Sequence, residues 1–438
     1  VSAVVDNELA RARRIRDALP EGGLFHEKGW RISPRAFPIS RKFAAELDQL
    51  GFRLHQFIKA CNQLYRLSVD GRQPGWIAEL LDRGKPAELI ALSRERIFRD
   101  EVPRVIRPDL VLTEDGFTIA ELDSVPGGIG LTAWLGAEYA ALDEDVLGGP
   151  EGMLKGFAEI FPGGDVVVSE EAATYRPEME WLAGKLNESS GRPGAYRVVD
   201  DSPRDDWQPR VYRFFELFDL ANVRCAGQLM ERARAGEVHI TPPFKPQLEE
   251  KLWFALFWLR PLEGYWTREL GAKSFAALKK VIPYTWLVNP EPLPPHAVLP
   301  RLEAQSWDDV AAMSQKEREL ILKVSGFSET AWGSRGVVVA QDVPQGEWRD
   351  ALHAALEAWP TQPYLLQQFH KGRVIEHPWL DGDTIVTMKG RVRLCPYYFP
   401  GEGRVKCAGA LATICPQDKK LLHGMSDAIL APTAVMPD

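Results

Sequence analysis

The stretch from Pro103 to Gly130, PRVIRPDLVLTEDGFTIAELDSVPGGIG, constrains this chain more than any other, because a short hairpin fixes which side chains face one another. Asp109 to Thr113 and Phe117 to Leu122 alternate apolar or β-branched residues with polar ones, the pattern of half-buried strands. Glu114-Asp115-Gly116 between them reads as a three-residue loop, with glycine where the backbone needs positive φ. With Thr113 paired to Phe117, Asp109 faces Glu121 and Arg107 faces Asp123. Residues two apart in a strand share a face, so all four charged groups project to one side. Three carboxylates make a hard-oxygen setting for Mg²⁺, and the guanidinium beside them suits an anion. The same four residues also describe a solvated strand face held by cross-strand ion pairs.

Composition narrows the function classes. A chain of 438 residues has room for two or three domains with substantial cores. A net charge of −8 argues against a nucleic-acid binder held by phosphate contacts. The longest apolar run, Leu252 to Leu259, stops at Arg260-Pro261, far short of the roughly 20 residues that span a bilayer. Arginines at 11, 13, 14 and 16 are followed by no apolar core, so the N-terminus does not read as a secretory signal. The five cysteines (61, 225, 395, 407 and 415) form no CxxC pair and no Cys/His zinc spacing. Buried, reduced thiols in a cytoplasmic protein are the expectation.

Residues 1–100 read as a helical region. Ser40 is an N-cap for a long amphipathic helix whose stripe is Phe43, Leu47, Leu50, Leu54, Phe57, Ile58, Cys61 and Leu64. Shorter helices follow at 76–81 and 86–98. Residues 101–163 hold the hairpin and a following helix at 131–142. Within 164–262, strands at 165–169, 196–199, 211–215 and 238–241 alternate with helical segments, the signature of a small parallel α/β subdomain. A long aromatic helix is expected at 247–259, and the proline-rich piece 283–300 reads as a linker. The last part, 263–438, carries strands at 320–324, 336–340, 364–368, 384–388 and 392–397, with a helix at 345–358.

Further chemistry lies downstream. In ILKVSGFSETAWGSRGVVVA, residues 321–340, Lys323 ends a strand, a glycine- and serine-rich loop follows, and an apolar strand resumes at Gly336. Backbone N–H groups of such a loop approach phosphates closely, and Lys323 and Arg335 supply charge. The order is strand, loop, strand, unlike the P-loop, and a simple β-hairpin fits the same residues. Pro363-Tyr-Leu-Leu-Gln-Gln-Phe369 runs from apolar into amide residues, as a hinge facing an adenine edge would, and as many edge strands do. Gly128-Ile-Gly130-Leu-Thr-Ala133 matches a GxGxxA dinucleotide fingerprint. However, Asp123-Ser-Val-Pro126 separates it from the strand, so a glycine turn into a helix is preferred. Gly326-Phe-Ser328 lacks the second glycine of a nucleophile elbow, and a serine hydrolase is rejected.

Together these pieces resemble the synthetase domain of glutathionylspermidine synthase and its relatives. The carrying residues are Arg107-Pro-Asp109, Glu121-Leu-Asp123 with Ser124-Val-Pro126 after it, Lys279-Lys-Val-Ile-Pro-Tyr-Thr-Trp-Leu, Lys323 with its loop, and Gln367-Gln368-Phe369. The resemblance covers roughly residues 100 to 400. It implies a mixed α+β / α/β chain with a circularly permuted ATP-grasp fold, in which the metal ligands precede the lysines, and a preATP-grasp-like α/β subdomain. It also implies Mg²⁺ on Asp109, Glu121 and Asp123, with Asp123 standing where the family has asparagine. Arg107 would steady an acyl phosphate, with Arg335 as a second catalytic cation. ATP would be met by Lys279 or Lys280, Lys323, Gly326, Gly333, Ser334, Gly336, Gln367, Gln368 and Phe369. The implied reaction is ligation of a small-molecule or peptide carboxylate to an amine through an acyl phosphate, releasing ADP and phosphate. No nucleic acid or membrane enters, and a homodimer is compatible. Two other readings stand beside it: a non-catalytic nucleotide- or peptide-binding module on the same shell, and an NAD(P)-dependent oxidoreductase using the glycines near 128.

Overall fold

The structure is a computed structural model that describes residues 2–294, 296–331, 335–403, 405–419, 421–422 and 426–436. It is a mixed α/β chain that divides into two compact units. The first comprises Val1–Ile58, Arg96–Phe244 and Gly372–Asp438, and the second Lys59–Glu95 and Lys245–Lys371. These boundaries do not follow the four sequence segments, because each unit is assembled from pieces distant in the chain.

The first unit holds two sheets. The larger runs Arg31–Ile32, Ile429–Val435, Cys407–Pro416, Thr384–Tyr398, Arg107–Thr113, Gly116–Asp123. Val374–Asp381 also pairs with Thr384–Tyr398, and Phe37–Ile39 with Ile429–Val435. The helical N-terminal region therefore contributes two short strands, both parallel to Ile429–Val435. The smaller sheet is parallel throughout, in the order Tyr196–Val199, Gly164–Val168, Arg210–Phe214, His239–Thr241. Its strands are those expected from the alternation of strand and helix.

The core of the first unit is strongly aromatic. Phe157 sits edge-on to Phe161, Tyr212 and Phe399, with ring centroids 5.0 to 6.2 Å apart. Burying each such ring contributes roughly 1.5–3 kcal/mol. Ser40 does cap the long helix Arg41–Val69, its hydroxyl accepting from Phe43 N at 3.2 Å. All five cysteines are buried and free.

The second unit has one antiparallel sheet, Val337–Val339, Leu320–Val324, Tyr364–Gln368, Thr285–Val288. Thr285–Val288 lies inside the segment expected to be a linker, so the prolines around it bound a strand. Packed with this sheet is a core that includes Trp286, Val288, Leu322, Trp348, Leu352 and Leu366. The expected helix over 247–259 is shorter: a 3-10 turn at Pro246–Leu248 precedes a helix at Leu252–Trp258. Among the described residues no helix is long and apolar enough to cross a membrane.

Candidate functional site

The hairpin brings its four charged residues to one sheet face, by a route the sequence did not show. Thr113 lies opposite Gly116, one residue away from the expected partner, so only Glu114 and Asp115 form the turn. A bulge between Asp109 and Leu110 then shifts the register. Beyond it Asp109 faces Glu121 and Arg107 faces Asp123, as the sequence predicts.

Arg107 is the centre of this face. Its Nε donates to Asp109 Oδ1 at 3.0 Å, its Nη2 meets Asp123 Oδ2 at 3.0 Å, and its Nη1 reaches the Gly127 carbonyl at 3.2 Å. The neighbouring Thr384–Tyr398 strand adds three side chains. Arg393 Nη1 donates to Asp109 Oδ2 at 3.1 Å, the Cys395 thiol to Asp109 Oδ1 at 3.4 Å, and the Tyr397 hydroxyl to the Gly127 carbonyl at 2.7 Å. Burial lifts the Asp123 carboxyl above its ordinary value; Arg107 opposes this and Glu121 adds to it. Burial pushes the Cys395 thiol up to about 12, with Asp109 adding. It is therefore a protonated donor, with no sign of a nucleophile.

The expected three-carboxylate metal set is not gathered in this arrangement. Among the described residues no group of three or more His, Cys, Asp or Glu is assembled to hold a metal ion. The physical reason is visible: Arg107 draws Asp109 and Asp123 to itself, and Arg393 takes the second oxygen of Asp109. In donor chemistry, three carboxylates on one face still suit Mg²⁺.

The glycine turn after the hairpin does not serve a dinucleotide. The carboxylate of Glu178 sits at the N-terminus of the helix Ile129–Ala140, accepting from Gly128 N at 2.7 Å and Leu131 N at 2.9 Å. A bound pyrophosphate would need those same N–H groups. Glu178 is fully buried, and burial raises its carboxyl to about 7 against the backbone hydrogen bonds that favour the charged form. The nicotinamide reading loses its phosphate site.

In the second unit, residues far apart in sequence are joined through one hydrogen-bonded path. Lys323 Nζ donates to Gln367 Oε1 at 2.9 Å, and Gln367 Nε2 donates to Thr285 Oγ1 at 3.2 Å. Thr285 Oγ1 donates to the Pro283 carbonyl at 2.9 Å, which also receives Trp258 Nε1 at 2.8 Å. Lys279 Nζ stands 4.0 Å from the centroid of the Trp258 ring. The first lysine, the second lysine and the amide strand thus share one framework. Burial lowers the Lys279 pKa; Glu263 opposes this and Arg301 adds to it. Arg301 itself lies over Trp258 and Tyr284, at 5.0 and 4.3 Å from the ring centroids.

The remaining sequence candidates divide. Lys280 is exposed beside Lys279. The main-chain N–H groups of Gln368 and Phe369 donate to the Tyr284 and Glu319 carbonyls, each at 2.9 Å, so they are engaged in the sheet and its margin. Gly326 N donates to the Glu250 carboxylate at 3.0 Å, and Gly336 N to the Thr330 carbonyl at 2.7 Å. Arg335 is exposed, and Gly333 and Ser334 lie outside the described residues.

Sequence reasoning missed Arg393, Cys395 and Tyr397, although period two along a strand puts them on one face. It also missed Glu178, Glu250 and Lys85. For Glu250 and Lys85 no local signal exists, because the partners are 165 residues apart.

No protein-family model matches the chain, and no curated protein matches it. Among solved structures it is similar to a glutathione synthetase-like effector from Globodera pallida in its apo form. That likeness has 11% identity and a TM-score of 0.57, covering 98% of this chain and 97% of that one. A candidate gamma-glutamylcysteine synthetase from Methylobacillus flagellatus aligns at 10% identity and a TM-score of 0.40, covering 87% of this chain and 90% of that one. The first likeness shows a shared fold over almost the whole of both chains.

Proposed function

We propose that the chain is an ATP-dependent carboxylate–amine ligase on a circularly permuted ATP-grasp fold. The observation that carries this reading is the path from Lys279 through Trp258, Pro283, Thr285 and Gln367 to Lys323. The Lys323 loop and the amide strand, each read from its own residues, and the Lys279 segment, implied by the resemblance, occur on one connected framework. The shared fold with a glutathione synthetase-like protein supports it.

In this reading Lys279 and Lys323 offset charge on the triphosphate, Gln367 holds Lys323 in place, and Gln368 and Phe369 border the adenine. With their N–H groups engaged, Gln368 and Phe369 recognise the base through the remaining groups of this strand. Arg107 steadies the acyl phosphate, Arg335 supplies charge at the glycine-rich loop as a second catalytic cation, and the amine attacks the acyl carbon with release of phosphate. Asp109, Glu121 and Asp123 would hold Mg²⁺, which supplies charge neutralisation at the transferring phosphoryl group. Electrostatics and positioning carry such a transfer, so no side-chain nucleophile is needed.

The test is release of ADP from ATP and Mg²⁺ in the presence of pooled amino acids, peptides and polyamines. Glu121→Ala is expected to abolish ADP release while leaving the circular dichroism spectrum intact; normal turnover by that variant sinks the assignment of the hairpin. One observation favours the second reading, a non-catalytic nucleotide- or peptide-binding module: Arg107 already spans Asp109 and Asp123. That module would bind ATP and release no ADP with any pool.

A further inference from the structure

The start of the glycine-rich loop is gripped from one short stretch of chain. Glu250 lies between the turn Pro246–Leu248 and the helix Leu252–Trp258. Its carboxylate receives three donors: the Lys85 ammonium, the Ser325 hydroxyl, and Gly326 N at 3.0 Å. The side chains of Lys85 and Glu250 are each 1% exposed. Lys85 Nζ also stands 5.5 Å from the centroid of Phe327. On one side of Glu250, the Glu249 carbonyl presses on Gly326 so closely that any Cβ there would collide with it. On the other side, Lys251 Nζ donates to the Ala331 carbonyl. Residues 249–251 and Lys85 therefore touch the loop at positions 325, 326, 327 and 331.

A buried ion pair seldom stabilises a fold more than apolar side chains of similar volume would, so its presence here calls for another use. We propose that Lys85, Glu250 and Lys251 are a positioning clamp that sets the 325–331 loop for the phosphates of a nucleoside triphosphate, an inference that rests on the ligase reading. The clamp assigns Gly326 a new task. Its N–H is spent on the protein's own carboxylate, and since Thr330 N and Ala331 N donate to Ser328, the amides that meet phosphate are those of 327–329. Lys85 offsets the charge of Glu250, which would otherwise repel a triphosphate nearby.

The experiment compares the full-length wild type with Lys85→Met/Glu250→Leu and with Ser325→Ala, reading amide hydrogen exchange without nucleotide and the KM and kcat for ATP. The apolar pair is expected to keep the thermal midpoint near wild type while exchange across 326–331 and the KM for ATP each rise about tenfold or more and kcat changes little. Ser325→Ala, which leaves the ion pair in place, is expected to raise both by about threefold. A merely structural pair would leave exchange and KM at wild-type values in the apolar variant, and that result overturns the clamp. If the double variant does not fold, unchanged exchange in Ser325→Ala overturns it equally. A wild type that neither binds nor cleaves ATP defeats the ligase reading instead; the exchange comparison, made without nucleotide, still decides whether the loop is clamped.

Discussion

The cations of the two units are held in opposite ways. In the first unit Arg107 is locked between two carboxylates and a carbonyl. Burial pulls its pKa down, but Asp109 and Asp123 outweigh that and hold it well above its ordinary value. In the second unit Lys279 rests on the rings of Trp258, Phe275 and Phe257, and its pKa is lowered by burial. Arg301 also lies on rings of this stack, over Trp258 and Tyr284. An arginine whose charge is answered by aspartates does structural work before any ligand arrives. A lysine resting on ring faces, with Glu263 acting on it only through its charge, keeps much of its attraction for an anion.

The largest expected effect follows from the first half of that contrast. Arg107→Met strips half-buried Asp123 of its cation and leaves buried Asp109 to Arg393 alone, which costs about 3–5 kcal/mol of stability. Urea denaturation checks this, and a loss below about 1 kcal/mol would show that Arg393 alone suffices for this face. Lys279→Met is the converse. Stability should stay within about 1 kcal/mol of wild type, while the affinity for ATP–Mg²⁺ falls about tenfold or more, read by calorimetry. Parallel losses of stability and affinity would erase the distinction between the units.

A subtler test concerns Glu178. Its folded pKa of about 7 lies above the ordinary 4.5, so the folded state holds the proton more tightly than the unfolded chain does. Its contribution is fully present below about pH 4.5 and is lost as pH rises through about 7, at a limiting slope of about 1.4 kcal/mol per pH unit. Urea midpoints from pH 4.5 to 7.5 should decline in wild type and run flatter in Glu178→Gln; identical slopes would remove Glu178 from the account. The smallest effect is expected for Lys280→Ala, which should change neither stability nor ATP binding. A tenfold loss of binding there would move the nucleotide lysine one residue along.

Much of this was legible in the sequence, and the failures have identifiable physical causes. The parallel sheet was readable because each strand is short, apolar and separated from the next by helical periodicity. The hairpin's charged pairs were readable because two errors cancel: the turn is one residue tighter than expected, and the bulge at Asp109/Leu110 makes up the difference. Thr384–Tyr398 read as two strands because Lys389-Gly390-Arg391 looks like a turn. The structure uses Gly390 for close approach instead, since a Cβ there would collide with the Cys415 carbonyl. Val374–Asp381, Cys407–Pro416 and Ile429–Val435 went unread; the prolines inside the first and last dilute the strand signal, yet Pro378 pairs with Thr387 and Pro432 with Leu411. Long-range partners such as Glu178 for the glycine turn leave no local trace at all.

The strand Ile429–Val435 has a consequence for how the chain is made. It pairs with Cys407–Pro416 on one side and, in parallel, with Arg31–Ile32 and Phe37–Ile39 on the other. Residues near position 35 must therefore wait for residues some 400 positions later before their partners exist. Pairings of such high sequence separation form slowly, and their edges stay open meanwhile. A nascent chain stalled before residue 429 would carry the first unit as an unfinished sheet, a state on which chaperones and proteases act first.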